Sequence, residues 1–259
     1  MNYIKNIWIT RYFWINLALS DIRSKWRRSF FGVLWTIIQP LGMTILLSVV
    51  FSKIFNTDAT SYAPYILSGM IVWEFITQAL MSGSMSFIQA DAYIKQYKTP
   101  LAIYTLRAIL TNLITLLLAS ISLITWALIT NPQNFNYSWF AAFLIYPILL
   151  LISWPLSTIL AYLTARFRDI PYALTLALQA VWFISPVYIQ DTVFRSSGLN
   201  SLIDYNPIYH LLEIVRAPIL RGSFPTIENF TYCIIVIGIF FLTAFLCGRQ
   251  LERKVIFYL

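Results

Sequence analysis

Long apolar runs, each bounded by charged residues or by a polar turn, dominate the pattern of the chain. A helix needs about 20 mostly apolar residues to cross the hydrocarbon core of a membrane. Six runs are about that long, and a tight polar turn at 131–134 separates the third from the fourth. The pattern predicts an all-α membrane protein that forms a single transmembrane domain over residues 1–259. The six predicted transmembrane helices cover residues 31–51, 62–89, 108–130, 140–165, 170–190 and 230–248.

Residues 1–30 follow another pattern, in which apolar residues recur every three or four positions with basic or polar residues between them. This period is that of one face of an amphipathic helix. Such a helix suits the membrane interface, with its Trp side chains at headgroup depth. The alternative is a plain extension of the first transmembrane helix that only anchors the chain. The residues assigned to this interface helix are Trp8, Arg23, Trp26, Arg27 and Arg28.

The distribution of Lys and Arg predicts which side of the membrane each loop faces. Fourteen of the 18 basic residues lie in the N-terminal segment, in the second–third and fourth–fifth loops and in the C-terminal tail. Cytoplasmic loops carry the excess of positive charge in membrane proteins. Both termini are therefore predicted to be cytoplasmic.

The connection at 191–229 is too long for a simple turn and too apolar for a loop exposed to water. Apolar residues recur at helical spacing between positions 211 and 219, but the segment lacks the length to span. We expect an external pair of re-entrant or interfacial helices, whose backbone must be satisfied by protein or by water. His210, the single histidine, is expected to be a surface or interface residue of this region.

The composition agrees with a membrane protein and limits the classes of function. Hydrophobic residues make up 59% of the chain and charged residues 11%, whereas a soluble domain has about 25% charged residues. Membrane orientation and attraction to lipid phosphates explain the net charge of +8, so nucleic acid is not expected as a partner. Cys233 and Cys247 lie in one apolar run, which indicates small packing residues and not a metal site. Residues 1–28 lack the apolar core and cleavage site of a signal peptide.

The sequence lacks the motifs of an ATPase, a hydrolase or a metalloenzyme. No glycine-rich stretch matches G-x-x-x-x-G-K-[ST], so we expect no cofactor in this chain and no ATP hydrolysis by it. Glu74 is the one carboxylate well inside a predicted transmembrane helix; it either faces other helices or water, or lies near the external rim. Such sparse intramembrane charge argues against a proton-coupled transporter. A membrane-embedded glycan enzyme would have only a thin set of catalytic groups, namely Asp191, Asp204, His210 and Glu213.

The second–third loop contains a candidate docking element. Residues 91–97 can form a short amphipathic helix with Tyr93, Ile94 and Tyr97 on one side, and Pro100 favours a chain break after it. A short helix of this kind can dock into a groove of a cytoplasmic partner. An ordinary surface helix is the alternative.

Polar groups inside the predicted transmembrane helices allow two interpretations. Gln39 precedes Pro40, which places an amide beside a kink that either lines a channel or serves packing. The second and third helices carry many hydroxyl and amide side chains. These groups indicate helix–helix packing for the most part, and a polar pathway is compatible with them.

Four stretches in order along the chain resemble the membrane subunit of type-2 ABC exporters for polysaccharides. Residues 21–42 are similar to its start, a basic interfacial helix followed by R-x-S-x-x-G-x-L-W-x-x-x-x-P. Residues 93–100 resemble its coupling segment, although Thr99 stands where an aromatic residue often precedes the proline. Residues 166–174 are similar to its fourth–fifth turn, and SPVYI at 185–189 with YNPIYHLLEIVRAPIL at 205–220 resembles its external re-entrant region.

This resemblance implies a homodimer around a central path in the inner membrane of a bacterium, with two ATPase subunits below that bind ATP and Mg. The implied cargo is a lipid-linked glycan, with O-antigen placed first; capsular polysaccharide, teichoic acid, or a drug or small lipid are the alternatives. Coupling to the ATPase is implied for Asp91, Tyr93, Ile94, Lys95 and Lys98.

Aromatic residues make up 17% of the chain, and most of them must serve packing and the membrane interface. Aromatic rings also stack on the C–H faces of sugars, so a few of them are candidates for the glycan path. The residues predicted to line that path are Trp35, Gln39, Tyr62, Trp73, Trp182 and Tyr188.

Overall fold

The structure, a computed structural model, describes residues 2–27, 29–55, 58–97 and 99–259. Within these residues the regular structure is entirely helical, as the sequence predicts. The α-helices in chain order are α1 (Asn2–Ile9), α2 (Arg11–Trp26), α3 (Trp35–Phe55), α4 (Ala59–Gln89), α5 (Asp91–Gln96), α6 (Ala102–Thr130), α7 (Trp139–Ala142), α8 (Ile145–Arg166), α9 (Ile170–Phe183), α10 (Asp191–Ser196), α11 (Asn200–Asp204), α12 (Pro207–Arg221) and α13 (Ile227–Val255). Short 3₁₀ turns cover Gly32–Leu34 and Pro132–Asn134.

Five helical segments of the described chain are long and apolar enough to cross a membrane. They cover Gly32–Ile54, Tyr62–Gln89, Ala102–Thr130, Trp139–Arg166 and Ile227–Glu252. They correspond to five of the six predicted transmembrane helices, which confirms a multi-pass membrane architecture.

The predicted helix at 170–190 is shorter in the structure, because α9 ends at Phe183. Its 14 residues rise about 21 Å, less than the hydrocarbon thickness of about 30 Å. Pro186 explains the early end, since a proline disfavours the helical conformation in the residue before it. The segment 184–190 that follows consists of turns. A sixth crossing stays a prediction.

The helix α4 occupies the centre and packs against α3, α6, α8, α9 and α12. Gly83 allows one of these approaches, because a Cβ at this position would overlap the side chain of Ser157 on α8. The larger of two apolar cores surrounds α4. A smaller core joins α1, α5 and the adjoining ends of α4, α6, α8 and α13.

The connection between α9 and α13 folds into three helices, α10 to α12. Asn206 caps α12 by accepting a hydrogen bond from the Ile208 N–H at 2.9 Å, and Gly222 ends it with a positive φ of 64°. Most of α12 is buried against α4, α7 and α13. Whether this region re-enters the membrane stays a prediction.

The expectation of a surface position for His210 is wrong, because its side chain is only 2% exposed. The imidazole ring stacks on Tyr232 at 4.0 Å between centroids. Its nitrogens lie 2.9 Å from the side-chain oxygen of Asn229 and 2.9 Å from the carbonyl of Asp204. Packing of α12 against α13 encloses the ring, and spacing in the sequence does not reveal that packing.

Candidate functional site

The short helix α5 is anchored to the chain by one buried side chain. Ile94 is 6% exposed and packs in the smaller core. Tyr93 and the following Tyr97 are 40% and 56% exposed, so they lie on another face. Positions four apart share a face of a helix, whereas adjacent positions do not. The expectation that Ile94 lies on one side with the two tyrosines is therefore wrong.

The outer face of α5 is polar and aromatic. Asp91 and Lys95 form a surface ion pair of 2.9 Å, and the Tyr93 ring meets that of Phe13 on α2 edge-on at 6.1 Å. Lys98 lies outside the described residues. This face joins α5 to α2, so one partner surface could contact both helices. The roles of these residues in coupling stay predictions.

The helix α2 is fixed to α6, and an apolar stripe that begins on α1 continues uncovered along α2. The guanidinium of Arg107 donates hydrogen bonds to both carboxylate oxygens of Asp21, and Ile22 is buried. The outward-facing large apolar residues at helical spacing are Trp8, Tyr12, Ile15 and Leu19. The sequence predicts one apolar stripe along residues 1–30. In the structure Ile22 lies on the inner face, whereas the four residues just named lie on the outer face.

The predicted interface residues have these positions in the structure. Arg23 and Arg27 are exposed, Trp26 is half-buried, and Arg28 lies outside the described residues. Trp8 is 66% exposed, and the Arg11 guanidinium lies 5.2 Å from its ring centroid. This outer face suits lipid headgroups.

A cleft of about 320 Å³ opens between α4 and α9. Trp73 of α4 and Trp182 of α9, both predicted path residues, lie on its two walls. The other lining residues are Thr77, Met81, Thr175, Leu178 and Gln179. Two indole rings therefore share one cleft with hydroxyl and amide groups.

Two polar atoms at the cleft have no hydrogen-bond partner within the described chain. These atoms are the Thr77 hydroxyl oxygen and the Trp182 indole nitrogen, and both are buried. An unsatisfied buried polar group costs about 1–3 kcal/mol. Because both atoms are buried, a ligand with hydroxyl groups would satisfy them only after the lining side chains move. Thr77 lies one turn from Trp73 on α4, so helical spacing could have identified it.

Gln39 and Glu74, which are far apart in the sequence, meet between α3 and α4. The Gln39 amide donates a hydrogen bond of 2.8 Å to the Glu74 carboxylate. Of the two positions considered for Glu74, the structure supports the one that faces another helix. Lys25 of α2 is close enough for attraction to Glu74; partial burial lowers the pKa of Lys25, and this attraction opposes the shift.

The remaining predicted path residues differ in exposure. Trp35 is 49% exposed and meets the Phe31 ring at 5.4 Å. Tyr62 is buried in this chain, and its hydroxyl donates to the Tyr188 carbonyl. Tyr188 is buried as well, and its ring lies 4.7 Å from that of Trp182. Tyr188 thus contacts one wall of the cleft, whereas Tyr62 supports Tyr188 from outside it.

The comparison with known protein families decides the class of this protein. A sequence profile of the family described as ABC-2 type transporter matches residues 13–220. The chain belongs to the ABC-2 type transporter family. This ABC-2 type transporter subunit is therefore a permease that takes part in transport, and the family implies a separate ATPase subunit as its partner.

Curated relatives match the ABC-2 permease over most of its length. It is 22% identical over 228 residues to the O-antigen export system permease protein RfbA of Klebsiella pneumoniae, covering 87% of this chain and 84% of that protein. It is 20% identical to a protein of the same name from Myxococcus xanthus, covering 83% and 82%. It is 24% identical to the polysialic acid transport protein KpsM of Escherichia coli, covering 92% and 91%.

Proposed function

We propose that this chain is the membrane-spanning subunit of an ATP-driven exporter that moves a lipid-linked polysaccharide across the bacterial inner membrane. The observation that carries the proposal is the likeness to polysaccharide export permeases over more than four-fifths of both chains. The α4–α9 cleft supports it, because aromatic faces and hydroxyl or amide groups are the chemistry that sugars require.

O-antigen is the proposed cargo. The relatives named as O-antigen export permeases support this choice. A capsule-type polymer is the second candidate, because relatives named as polysialic acid transport proteins cover an even larger share of the chain.

The proposed topology has six crossings and cytoplasmic termini. In it, α9 and the segment 184–190 together form the fifth crossing. The segment can lie at membrane depth because protein groups satisfy its backbone carbonyls. The excess of Lys and Arg on one side supports the orientation.

A homodimer is proposed because polar side chains lie uncovered on two helices of the single chain. Gln39 on α3, and Thr175 and Gln179 on α9, are exposed. Polar side chains inside a membrane normally face the protein interior or a water-filled cavity. A second copy facing α3 and α9 would enclose these side chains around a shared path.

The proposed ATPase contact consists of the outer face of α5 and the neighbouring part of α2. Tyr93 and Tyr97 supply exposed aromatic area, and the Asp91–Lys95 pair supplies charge. ATP and Mg bind to the partner subunit in this proposal. The exposed stripe of α1 and α2 that includes Trp8 and Tyr12 faces membrane lipids.

Complementation tests the proposed function. The chain and its partner ATPase subunit are expressed in a strain that makes the lipid-linked polymer but lacks its exporter. Surface polymer detected on intact cells is the expected result, and an ATPase variant that cannot hydrolyse ATP is the control. Failure with O-antigen and with capsule-type polymer, although both subunits assemble, would reject a polysaccharide cargo.

A further inference from the structure

A fully buried arginine lies beside the segment that follows α9. Arg216 of α12 is 1% exposed and is the largest of the fully buried side chains. The ion pairs of the described residues do not include it. A buried cation without a carboxylate needs other groups to replace its hydration.

Carbonyl oxygens provide that replacement. The Arg216 guanidinium donates to the carbonyls of Pro186 at 2.7 Å and Val187 at 2.8 Å. It also donates to the Tyr65 carbonyl and the Ser68 hydroxyl of α4, each at 3.2 Å. The Tyr65 ring covers one face of the cation, 3.6 Å from its central carbon. One planar side chain therefore joins α12, α4 and the segment 184–190.

Other groups hold the same segment together with Arg216. The Tyr65 hydroxyl donates to the carbonyls of Pro186 and Ile189 at 3.2 and 3.1 Å. Asn206 donates to the Ile184 carbonyl at 3.2 Å. Gly69 leaves the space for this arrangement, because a Cβ there would overlap the Val187 carbonyl.

The segment held by Arg216 also carries one wall of the cleft. Trp182 lies one residue before the end of α9 and lines the cleft, and its ring meets that of Tyr188 within the segment at 4.7 Å. The Tyr188 ring in turn meets Phe51 of α3 at 5.1 Å. A displacement of the Pro186 and Val187 carbonyls would therefore move the Trp182–Tyr188 pair.

We propose that Arg216 is a positioning residue, which holds the segment 184–190 and thereby the Trp182–Tyr188 pair at one end of the α4–α9 cleft. The claim that this arrangement matters for transport rests on the proposed function. The claim that Arg216 holds the segment in place does not rest on it. The fork of the guanidinium directs N–H groups toward four acceptors on α4 and the segment 184–190 at once, whereas a lysine ammonium has only three N–H donors on one nitrogen. Charge alone is thus insufficient at this position.

Thiol labelling tests the positioning without any transport assay. Val187 is 0% exposed, so V187C, placed in the full chain with Cys233 and Cys247 replaced by alanine, reports on the segment. The probe is the membrane-impermeant reagent trimethylammonium-ethyl methanethiosulfonate. R216K and R216M are expected to raise the labelling rate of V187C about tenfold, because the segment opens locally.

Three controls separate local opening from unfolding. R221K changes another arginine of α12, whose exposed side chain pairs with the buried Glu213, and is expected to leave V187C protected. A127C in α6 replaces a fully buried residue outside the segment and is expected to stay protected in R216K. S197C, at an exposed position, is expected to label equally in all variants.

The outcomes distinguish the inference from the proposed function. Protection of V187C in both R216K and R216M would overturn the positioning role, whatever the cargo is. Labelling of A127C in R216K, or failure of R216K to fold, would also overturn it, because Arg216 would then act on the whole fold. Faster labelling in a chain that exports no polysaccharide would leave the positioning role intact and reject the proposed function alone.

Discussion

The side-chain amide of Gln39 donates a hydrogen bond to the carboxylate of Glu74 at 2.8 Å and so joins α3 to α4. We predict that Q39A and E74A each destabilise the protein and that their effects are not additive. The coupling free energy should be about 0.6–2 kcal/mol, the range for polar contacts between membrane helices. A double-mutant cycle of unfolding in detergent measures it.

The variant E74Q provides the matched control for this contact. Glutamine keeps an acceptor for the Gln39 amide but removes the charge near Lys25, so E74Q should retain most of the stability that E74A loses. Purely additive effects of Q39A and E74A would show that the contact contributes nothing measurable.

Two glycines on neighbouring helices predict opposite effects of the same substitution. A Cβ at Gly83 would overlap Ser157 on α8, whereas a Cβ at Gly42 has no atom within 4 Å. G83A should lower the free energy of unfolding by about 1–3 kcal/mol through overpacking. G42A should be neutral, or stabilising by up to about 1 kcal/mol because alanine favours a helix.

A compensating substitution identifies the cause at Gly83. S157G removes the side chain that the new methyl group meets, although it also removes the hydrogen bond from Ser157 to the Ala79 carbonyl. The double variant G83A/S157G should therefore recover part of the stability lost in G83A. No recovery would indicate that close packing of α4 on α8 is not the reason.

Most of the architecture could be predicted from the sequence, because apolar length alone identifies a membrane helix. The five helices that are long and apolar enough to cross a membrane follow from that signal, and helical spacing predicts the helices in the connection at 191–229. The end of α9 at Phe183 could not be predicted in this way, because apolar residues continue past it. Pro186 does not mark the end either, since several other prolines lie within the apolar runs. Whether a helix ends near a proline depends on which groups can hydrogen-bond the backbone carbonyls that the helix no longer satisfies. Here those groups belong to residues that are distant in the sequence.

Contacts between distant positions account for the parts of the candidate site that the sequence did not reveal. The sequence predicts Trp73 and Trp182 as path residues because they are aromatic, but their meeting in one cleft depends on the packing of α4 on α9. Arg216 was only one more basic residue of an external loop in the sequence. Its burial and its four hydrogen bonds depend on the folded positions of α4 and of the segment 184–190.

The helix α5 offers a test that separates docking from folding. I94A should lower the free energy of unfolding by about 2–4 kcal/mol, because Ile94 fills the smaller core. Y97A should leave stability within about 0.5 kcal/mol of the native chain, because Tyr97 is 56% exposed. In the reconstituted transporter, Y97A should reduce export per ATP hydrolysed. Unchanged coupling in both Y97A and Y93A would argue against a partner contact on this face.

The α4–α9 cleft gives the sharpest test of the proposed cargo path. W182F removes the unpaired indole N–H but keeps an aromatic face, whereas W182A removes both. Stacking on one aromatic ring is worth about 1 kcal/mol, so W182A should slow export about fivefold and W182F should slow it less. F183A is the matched control, because Phe183 is the next residue and is 60% exposed outside the cleft. Surface polymer appearance, normalised to transporter level, measures the rate. Equal losses of export rate in W182A and F183A would show that the Trp182 ring has no role specific to the cleft. That result would contradict the proposal that the cleft is part of the cargo path.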